Sequence, residues 1–358
     1  MRAVVIDAVR GRPEVRDVAE PTAPPDGVVV RVEATGLCRS DWHAWAGHEQ
    51  IALPHVPGHE LAGVVVAVGA GVRRWSTGDR VTVPFVCGCG RCEWCRSGNA
   101  QVCPDQQQPG FTHWGSFAEY VALHGADTNL VAVPEHVDLA TAAALGCRFA
   151  TAYRALADRA RLAEGEWVTV VGAGGVGLSA VMIARALGGR VIAVDRNPEA
   201  LALARELGAE HTLRADGRDV PAAVAALTGG GGHVAVDAVG SEQTCADAVL
   251  SLRRFGVVLA PCLPLHRRQD AWKVTKHELL VEDRPLLGES RGGGAPPVHV
   301  DPLEVAHAAA GEAPGVLQPA GVHPERHPRR HDPGRLFPQR AAVRGRRLRH
   351  ADHQRLLA

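Results

Sequence analysis

The sequence predicts two domains of different class: a β-rich domain, followed by an α/β domain with a doubly wound parallel sheet. From Val28 to about Val133 the apolar runs are short, β-branched and closely interrupted by Gly, Pro and Asp, which is typical of a β-rich domain. Beyond about Glu166, apolar strands alternate with helical segments, and this alternation favours a parallel sheet covered on both faces. The chain of 358 residues has room for two domains of roughly 150 residues each.

The elements follow in a clear order. In the β-rich domain the expected strands are VVVRVEA, LAGVVVAVG, DRVTVPF, SFAEYVAL and LVAVP. Near Leu139 the sequence becomes Ala-rich, and Asp138 is suited to cap a helix that begins there. We therefore place the domain junction here, with one domain over 1–148 and the next over 149–262. The second domain should contain, in order, the strand EWVTVV, a helix over 176–187, RVIAVD, a helix through Leu207, HTLR, a helix over 219–227, HVAVDAVG, a helix to about Arg253, and FGVVLAP.

The segment 263–358 does not continue this alternation. It is rich in Arg, Pro, His and Gly, and no strand or helix period is recognisable in it. An out-of-frame translation of a GC-rich gene has this composition, so we hypothesise a frameshift or sequencing error that begins near or after Gly256 to Pro264. The alternative is a genuine divergent tail.

Composition and charge exclude several classes of function. Lys+Arg and Asp+Glu both total 39, so the formal net charge is zero, which disfavours a dedicated binder of nucleic acid or anionic membrane. No run approaches the roughly 20 apolar residues of a spanning helix, and the first residues lack the pattern of a secretory signal. We therefore expect a cytoplasmic protein. Nine cysteines, five of them between positions 87 and 103, favour metal binding over disulfides.

The crowded cysteines have metal-ligand spacing. Cys89, Cys92, Cys95 and Cys103 form C-x2-C-x2-C-x7-C within a Gly-rich loop. Four thiolates can close a tetrahedron around zinc and leave no open position, which predicts a structural zinc site in a lobe over about 87–103. Four free thiols are the less favoured alternative, and Cys87 lies outside the spacing.

A glycine-rich loop follows the first strand of the α/β domain. Gly172, Gly174 and Gly177 give G-x-G-x-x-G directly after an apolar strand and at the start of a helix. This context predicts that the loop, including Gly175 and Val176, binds the pyrophosphate of a dinucleotide at the helix amino terminus.

Asp195 ends the next strand, 18 residues after the last glycine. A carboxylate there can accept hydrogen bonds from the adenosine ribose, which favours NAD. The neighbouring Arg196 could bind a 2′-phosphate, so NADP stays the alternative.

A second metal site is suggested earlier in the chain. Cys38 in GLCRSDWH and His59 in PGHELAGVVVAVGAGV are a thiolate and an imidazole, which suit zinc with an open coordination position if a third ligand joins them. From spacing alone, His59 could equally be a core histidine.

Together these residues resemble the zinc-dependent medium-chain alcohol dehydrogenases over most of residues 1–260. The family signature G-H-E-x2-G-x5-G-x2-V is met by Gly58, His59, Glu60, Gly63, Gly69 and Val72. The family's third catalytic ligand lies in a G-C-x-F-x-T-x-Y stretch, and GCRFATAY places Cys147 there. The resemblance implies a GroES-like catalytic domain followed by a Rossmann domain. It also implies two zinc ions per chain, the catalytic one held by Cys38, His59 and Cys147.

The resemblance also implies roles for neighbouring residues. A proton relay would use Ser40 and His43, while Asp41 would orient His59 and Glu60 would lie beside the metal. Further roles are pyrophosphate binding for Arg39 and substrate-pocket lining for Phe85 and Trp42. The alternatives are a solvated surface arginine and ordinary core aromatics.

The implied function is oxidation of a small-molecule alcohol to an aldehyde or ketone with NAD, in a homodimer or homotetramer. The alternative is an inactive zinc- and nucleotide-binding relative whose divergent carboxyl-terminal segment abolishes catalysis. A third class, a four-cysteine zinc module with a basic tail that binds nucleic acid, is disfavoured by the zero net charge.

Overall fold

The computed structural model of the protein describes residues 1–259. The expectations for 260–262 and for the segment 263–358, including the frameshift hypothesis, lie outside these residues. Within 1–259 the strands are β1 (Arg2–Val5), β2 (Glu14–Asp17), β3 (Val28–Gly36), β4 (Glu60–Val68), β5 (Arg80–Thr82), β6 (Tyr120–Leu123), β7 (Val131–Ala132), β8 (Trp167–Val171), β9 (Arg190–Asp195), β10 (His211–Arg214), β11 (Gly232–Asp237) and β12 (Leu252–Leu259). The α-helices are α1 (Arg39–Trp45), α2 (Glu93–Arg96), α3 (Ala126–Asn129), α4 (Leu139–Ala143), α5 (Ala150–Tyr153), α6 (Gly175–Ala186), α7 (Pro198–Glu206), α8 (Val220–Thr228) and α9 (Glu242–Leu250).

The first half contains an antiparallel five-stranded sheet in the order β6-β3-β4-β5-β7. Its core is built from fully buried branched residues such as Val28, Val30 and Val65. These strands lie where the apolar runs predicted them, which confirms the β-rich domain. The β1-β2 pair was not predicted, because β2 (EVRD) is almost wholly exposed and carries no apolar alternation. The short helix α1 was not predicted either.

The second half contains a parallel five-stranded sheet in the order β10-β9-β8-β11-β12. β8 is buried along its whole length, as the central strand of such a sheet requires. One face packs against α6 and α7 through Val168 and Val170, while the other packs against α8 and α9 through Val171. Helices therefore cover both faces, and the doubly wound prediction is confirmed.

The strand order places a crevice at the carboxyl end of β8. From β8 the chain proceeds to β9 and β10 on one side, and then returns to β11 and β12 on the other. The connections after β8 and β11 consequently lead to opposite faces of the sheet. Ligands of such sheets bind in the crevice between these two connections. The glycine-rich loop, which begins at Gly172, lies at this point.

The Ala-rich helix is less regular than predicted. After α4 the chain forms a wide π-helical turn over Leu145–Phe149, then α5, then a second wide turn over Arg154–Arg159. Such turns are frequent at functional sites because they reorient side chains. The proposed domain junction at 148/149 falls inside the first turn and stays a prediction.

The end of α9 also differs from the prediction. The helix ends at Leu250 and β12 begins at Leu252, so Arg253 belongs to the strand. Arg253 and Arg254 are exposed and polar, which allowed either assignment from the sequence. No helix within residues 1–259 is both long and apolar enough to cross a bilayer.

Candidate active site and metal centres

Four potential metal ligands meet in the interior. Cys38, His59, Glu60 and Cys147 each offer one ligand atom, and these atoms lie within 4.8 Å of one another. Cys38 precedes α1, His59 and Glu60 lie at the start of β4, and Cys147 lies in the turn Leu145–Phe149. All four are buried. The structure thus brings together the three residues that the resemblance assigned as catalytic ligands.

Asp41 fixes the orientation of His59. Its Oδ1 accepts a hydrogen bond from His59 Nδ1 at 3.1 Å, and its Oδ2 accepts one from the Cys38 amide at 2.8 Å. His59 Nε2 is buried and has no hydrogen-bond partner among the described residues. A buried polar atom without a partner is costly, whereas a carboxylate on Nδ1 and a vacant Nε2 are typical of a metal-binding histidine. The donor set therefore fits a metal ion.

The charges in the cluster also suit a cation. A hydrogen bond from Cys147 lowers the pKa of the Cys38 thiol to about 3 against the effect of burial, so Cys38 is a thiolate. The same hydrogen bond raises the pKa of Cys147 well above its usual range. Burial is the largest single influence on His59 and opposes a charge on it, but the carboxylate of Asp41 and the thiolate of Cys38 together outweigh it and raise the pKa of His59 to about 10. Zinc prefers a thiolate and a neutral imidazole, so binding of the ion would displace the extra proton from His59.

Glu60 is held by an arginine that the sequence analysis did not single out. Glu60 is fully buried, and Arg148 donates from Nε to Oε1 at 2.8 Å and from Nη2 to Oε2 at 2.5 Å. Burial raises the pKa of Glu60, and the guanidinium of Arg148 opposes that rise. The one signal in the sequence was an arginine directly after the third ligand cysteine.

Two phenylalanines flank the donor set. The ring centroid of Phe85 lies 6.4 Å from that of His59, and its role in a substrate pocket stays a prediction. Phe111 lies closer, at 5.2 Å, and was not predicted. Trp42 instead contacts Arg39, His43 and His48, so its pocket role stays a prediction.

The expected relay residues lie on α1. Ser40 Oγ is 3.8 Å from Cys38 Sγ, and His43 Nδ1 is 3.0 Å from His48 Nδ1. Arg39 is exposed, with its guanidinium 4.1 Å from the centroid of Trp42. The structure thus places Ser40 beside the donor set and gives His43 a second histidine as neighbour.

A second donor set is formed by the four spaced cysteines. The Sγ atoms of Cys89, Cys92, Cys95 and Cys103 lie within 4.8 Å of one another. Two of these sulfurs accept amide hydrogen bonds: Cys92 from the Cys95 amide at 3.4 Å, and Cys103 from the Cys89 amide at 3.3 Å. None of the eight cysteines within 1–259 forms a disulfide, so the four sulfurs are available to a metal ion.

Cys87 is distinct from that set. Its thiol is buried and donates to the Pro84 carbonyl at 3.6 Å. Burial raises the pKa of Cys87 to about 12, which keeps it protonated and unreactive.

The glycine-rich loop connects β8 to α6. Gly172 has a φ of +95° and follows β8 directly. A Cβ on Gly177 would lie 1.8 Å from the Gly172 carbonyl oxygen, so only glycine permits this approach of helix and loop. Gly174 and Gly175 are exposed at the start of α6 together with the half-buried Val176, which leaves the first-turn amides accessible to a phosphate.

Asp195 supports the loop from the end of β9. Its Oδ2 accepts a hydrogen bond from the Ala173 amide at 2.6 Å, and its Oδ1 accepts one from the Asn197 amide at 2.8 Å. Each carboxylate oxygen has a second lone pair that a ribose hydroxyl can use. Arg196 is exposed beside it.

Two family profiles match the chain. Residues 24–135 match the alcohol dehydrogenase GroES-like domain, and residues 175–292 match the zinc-binding dehydrogenase domain. The second match extends past Pro261, where no further element was recognisable in the sequence.

Individual proteins are similar over about three quarters of the chain. An alcohol dehydrogenase from Geobacillus stearothermophilus is 36% identical over 267 residues, which cover 74% of this chain and 78% of the relative. The structure of alcohol dehydrogenase TADH from Thermus sp. ATN1 is similar with a TM-score of 0.69 at 32% identity, covering 74% of this chain and 80% of the other. A crystal structure of an NAD-dependent alcohol dehydrogenase has a TM-score of 0.67 at 35% identity, covering 73% and 77%.

Proposed function

The chain belongs to the zinc-dependent medium-chain alcohol dehydrogenase family, and we propose that it oxidises an alcohol to an aldehyde or ketone with NAD. The observation that carries this proposal is the buried Nε2 of His59, which has no hydrogen-bond partner among the described residues and belongs to a cluster of potential metal ligands with Cys38 and Cys147. Cys38, His59 and Cys147 would hold a catalytic zinc and leave one position for the alcohol oxygen. Bound there, zinc would supply a Lewis acid that lowers the pKa of the alcohol hydroxyl.

The chain's own residues remove the proton in this proposal. Ser40 would accept it from the alcohol hydroxyl and give up its own hydroxyl proton in the same step, because it is the hydroxyl nearest to Cys38 in α1. His43 would take up the proton that Ser40 gives up and release it to solvent, and its contact with His48 offers a further acceptor. Asp41 keeps the His59 ring in place throughout.

The proposed cofactor is NAD. The glycine-rich loop and the first turn of α6 would bind its pyrophosphate, with Arg39 as a further candidate contact, and Asp195 would bind the adenosine ribose. A 2′-phosphate would meet the negative charge of Asp195, so we place NADP second. NAD supplies the hydride acceptor in this scheme.

The four-cysteine set is proposed to hold a second, structural zinc. It lies in the lobe over about 87–103. Neither α2 nor the short turn Ala100–Val102 in this lobe contains a buried residue. A lobe with so little core needs a metal to stay folded.

The substrate is proposed to be a primary or aromatic alcohol. The rings of Phe85 and Phe111 beside His59 support this, since they offer apolar walls rather than hydrogen-bond partners for a sugar. We further propose that the protein is cytoplasmic and forms a homodimer or homotetramer. Light scattering of the purified protein would test the oligomeric state.

The deciding experiment is NADH formation by the purified protein with a panel of primary, secondary and aromatic alcohols. Turnover should be abolished by a zinc chelator, restored by zinc, and larger with NAD than with NADP. A folded protein that binds zinc and NAD but turns over none of these alcohols would instead be the inactive relative.

A further inference from the structure

Arg148 reaches from the metal-ligand cluster to the start of α6. A Cβ placed on Gly175 would lie 2.5 Å from Arg148 Cδ and 2.9 Å from its Nη1. Gly175 is the first residue of α6 and has ordinary helical backbone, so no backbone conformation demands glycine here. Glycine at this position therefore makes room for the arginine side chain.

The guanidinium of Arg148 has two different sides. Nε and Nη2 donate to the fully buried Glu60. Nη1 lies at the amino end of α6 and makes no hydrogen bond within the described part of the chain. One side of the group is thus neutralised by a carboxylate, while the other side faces the exposed amides of the helix start.

An anion between Nη1 of Arg148 and the start of α6 would accept hydrogen bonds from the guanidinium and from the first-turn amides. The first-turn amides of the twelve-residue helix α6 carry partial positive charge, and the guanidinium adds a full one. A Cβ on Gly174 would have no heavy atom within 4 Å, so open space is available beside these donors. A phosphate oxygen is the acceptor that such a combination prefers.

We propose that Arg148 is a further dinucleotide-binding residue, which holds Glu60 with one side of its guanidinium and the cofactor's pyrophosphate with the other. This inference rests on the proposed function. It makes Arg148 a link between the two sites, because the same planar group contacts Glu60 beside the metal ligands and the phosphate at the helix. Arg39, stacked on Trp42 at the surface, would be a separate contact.

The test compares binding of ADP-ribose, which contains the pyrophosphate, with binding of adenosine, which does not. Removing the guanidinium from the wild type would leave Glu60 buried without a partner, so the comparison is made in an E60Q background. We expect E60Q to bind ADP-ribose at least as tightly as wild type. E60Q/R148M should bind it about tenfold or more weakly, as loss of a charged hydrogen bond predicts, with adenosine binding unchanged.

Two further variants make the result specific. R148K retains a charge but lacks the planar guanidinium that can donate to Glu60 on one side and to a phosphate on the other, so its ADP-ribose affinity should lie between those of wild type and E60Q/R148M. R154M removes a nearby arginine, at the start of the wide turn Arg154–Arg159, whose side chain donates a hydrogen bond to Asn99. This variant should bind ADP-ribose like wild type. Zinc content and melting temperature are measured for each variant.

Equal ADP-ribose affinity of E60Q and E60Q/R148M would overturn the inference, as would an equal loss for ADP-ribose and adenosine. A wild-type protein that binds neither NAD nor ADP-ribose would overturn the proposed function itself. The two failures are therefore distinguishable.

Discussion

At the scale of single residues, Asp41 has the most consequential contacts in the proposed catalytic site. Its carboxylate joins the amide before α1, the amide of Gly58 and the ring of His59. It is also buried, with only 4% of its surface exposed, so water cannot replace these bonds. One side chain thereby fixes both the position of Cys38 and the tautomer of His59.

We expect Asp41→Asn to lower zinc affinity by about 10- to 100-fold, the usual effect of removing a carboxylate behind a metal-binding histidine. Competition with a chromogenic chelator measures this. Asp26→Asn, at an exposed aspartate that also faces a histidine, is the matched control. Unchanged zinc affinity in Asp41→Asn would limit Asp41 to stabilising the start of α1.

Asp195→Gly should weaken NAD binding by about tenfold, because hydrogen bonds to a charged group are lost. The preference for NAD over NADP should fall as well, since the like charge that repels a 2′-phosphate is gone. The ratio of the two dissociation constants is the readout, with Asp216→Asn as an exposed control. An unchanged ratio would remove Asp195 from cofactor selection.

The lowered pKa of His113 makes the stability of the folded protein depend on pH. Burial lowers its pKa to about 4, with the charges of His124 and His55 acting in the same direction. Because the folded pKa lies below the usual 6.5, the unfolded chain takes up this proton first, and stability falls as the pH drops from 6.5 towards 4.

His113→Gln should flatten this loss in urea unfolding experiments across that pH range. His136→Gln, at an exposed histidine, should leave the slope as in wild type. Equal slopes for wild type and His113→Gln would show that other groups govern the acid side.

At the scale of elements, the long parallel strands and their helices were predictable, and the short elements were not. β8 and α6 have unbroken apolar patterns, and Asn197, Asp219 and Ser241 cap the helices that follow. By contrast, the wide turn over Leu145–Phe149 has no sequence signature, since its residues would also suit a regular helix. Arg148 was overlooked for a different reason: its partner Glu60 lies 88 residues away in the chain.

The cysteine lobe gives a prediction about an element. Cys92→Ser should lower the melting temperature and make it less sensitive to chelators than that of wild type, because only the Cys38/His59/Cys147 set could still lose an ion. Cys87→Ser makes the same change at a thiol outside the donor set, and its hydroxyl can still donate to Pro84. If Cys92→Ser melts like Cys87→Ser, the lobe does not depend on a metal.

At the scale of the whole molecule, the frameshift hypothesis makes a prediction about the gene. Reading the nucleotide sequence one base forward or back, from a breakpoint near codons 256–264, should yield apolar strands in place of the Arg/Pro/His-rich text. Because the zinc-binding dehydrogenase match runs to residue 292, breakpoints up to that codon belong in the test. If resequencing confirms the gene and neither alternative frame yields such strands, the tail is genuine.

The two donor sets differ in how far along the chain their members lie. Cys89 to Cys103 come from one loop, while Cys38 and Cys147 are separated in the chain by four strands of the antiparallel sheet, β4 to β7. Closing a long loop costs more conformational entropy and requires the intervening strands to have paired. We therefore expect the ions to enter in a fixed order during biosynthesis, the cysteine loop first. The second ion would then mark a chain whose folding is complete.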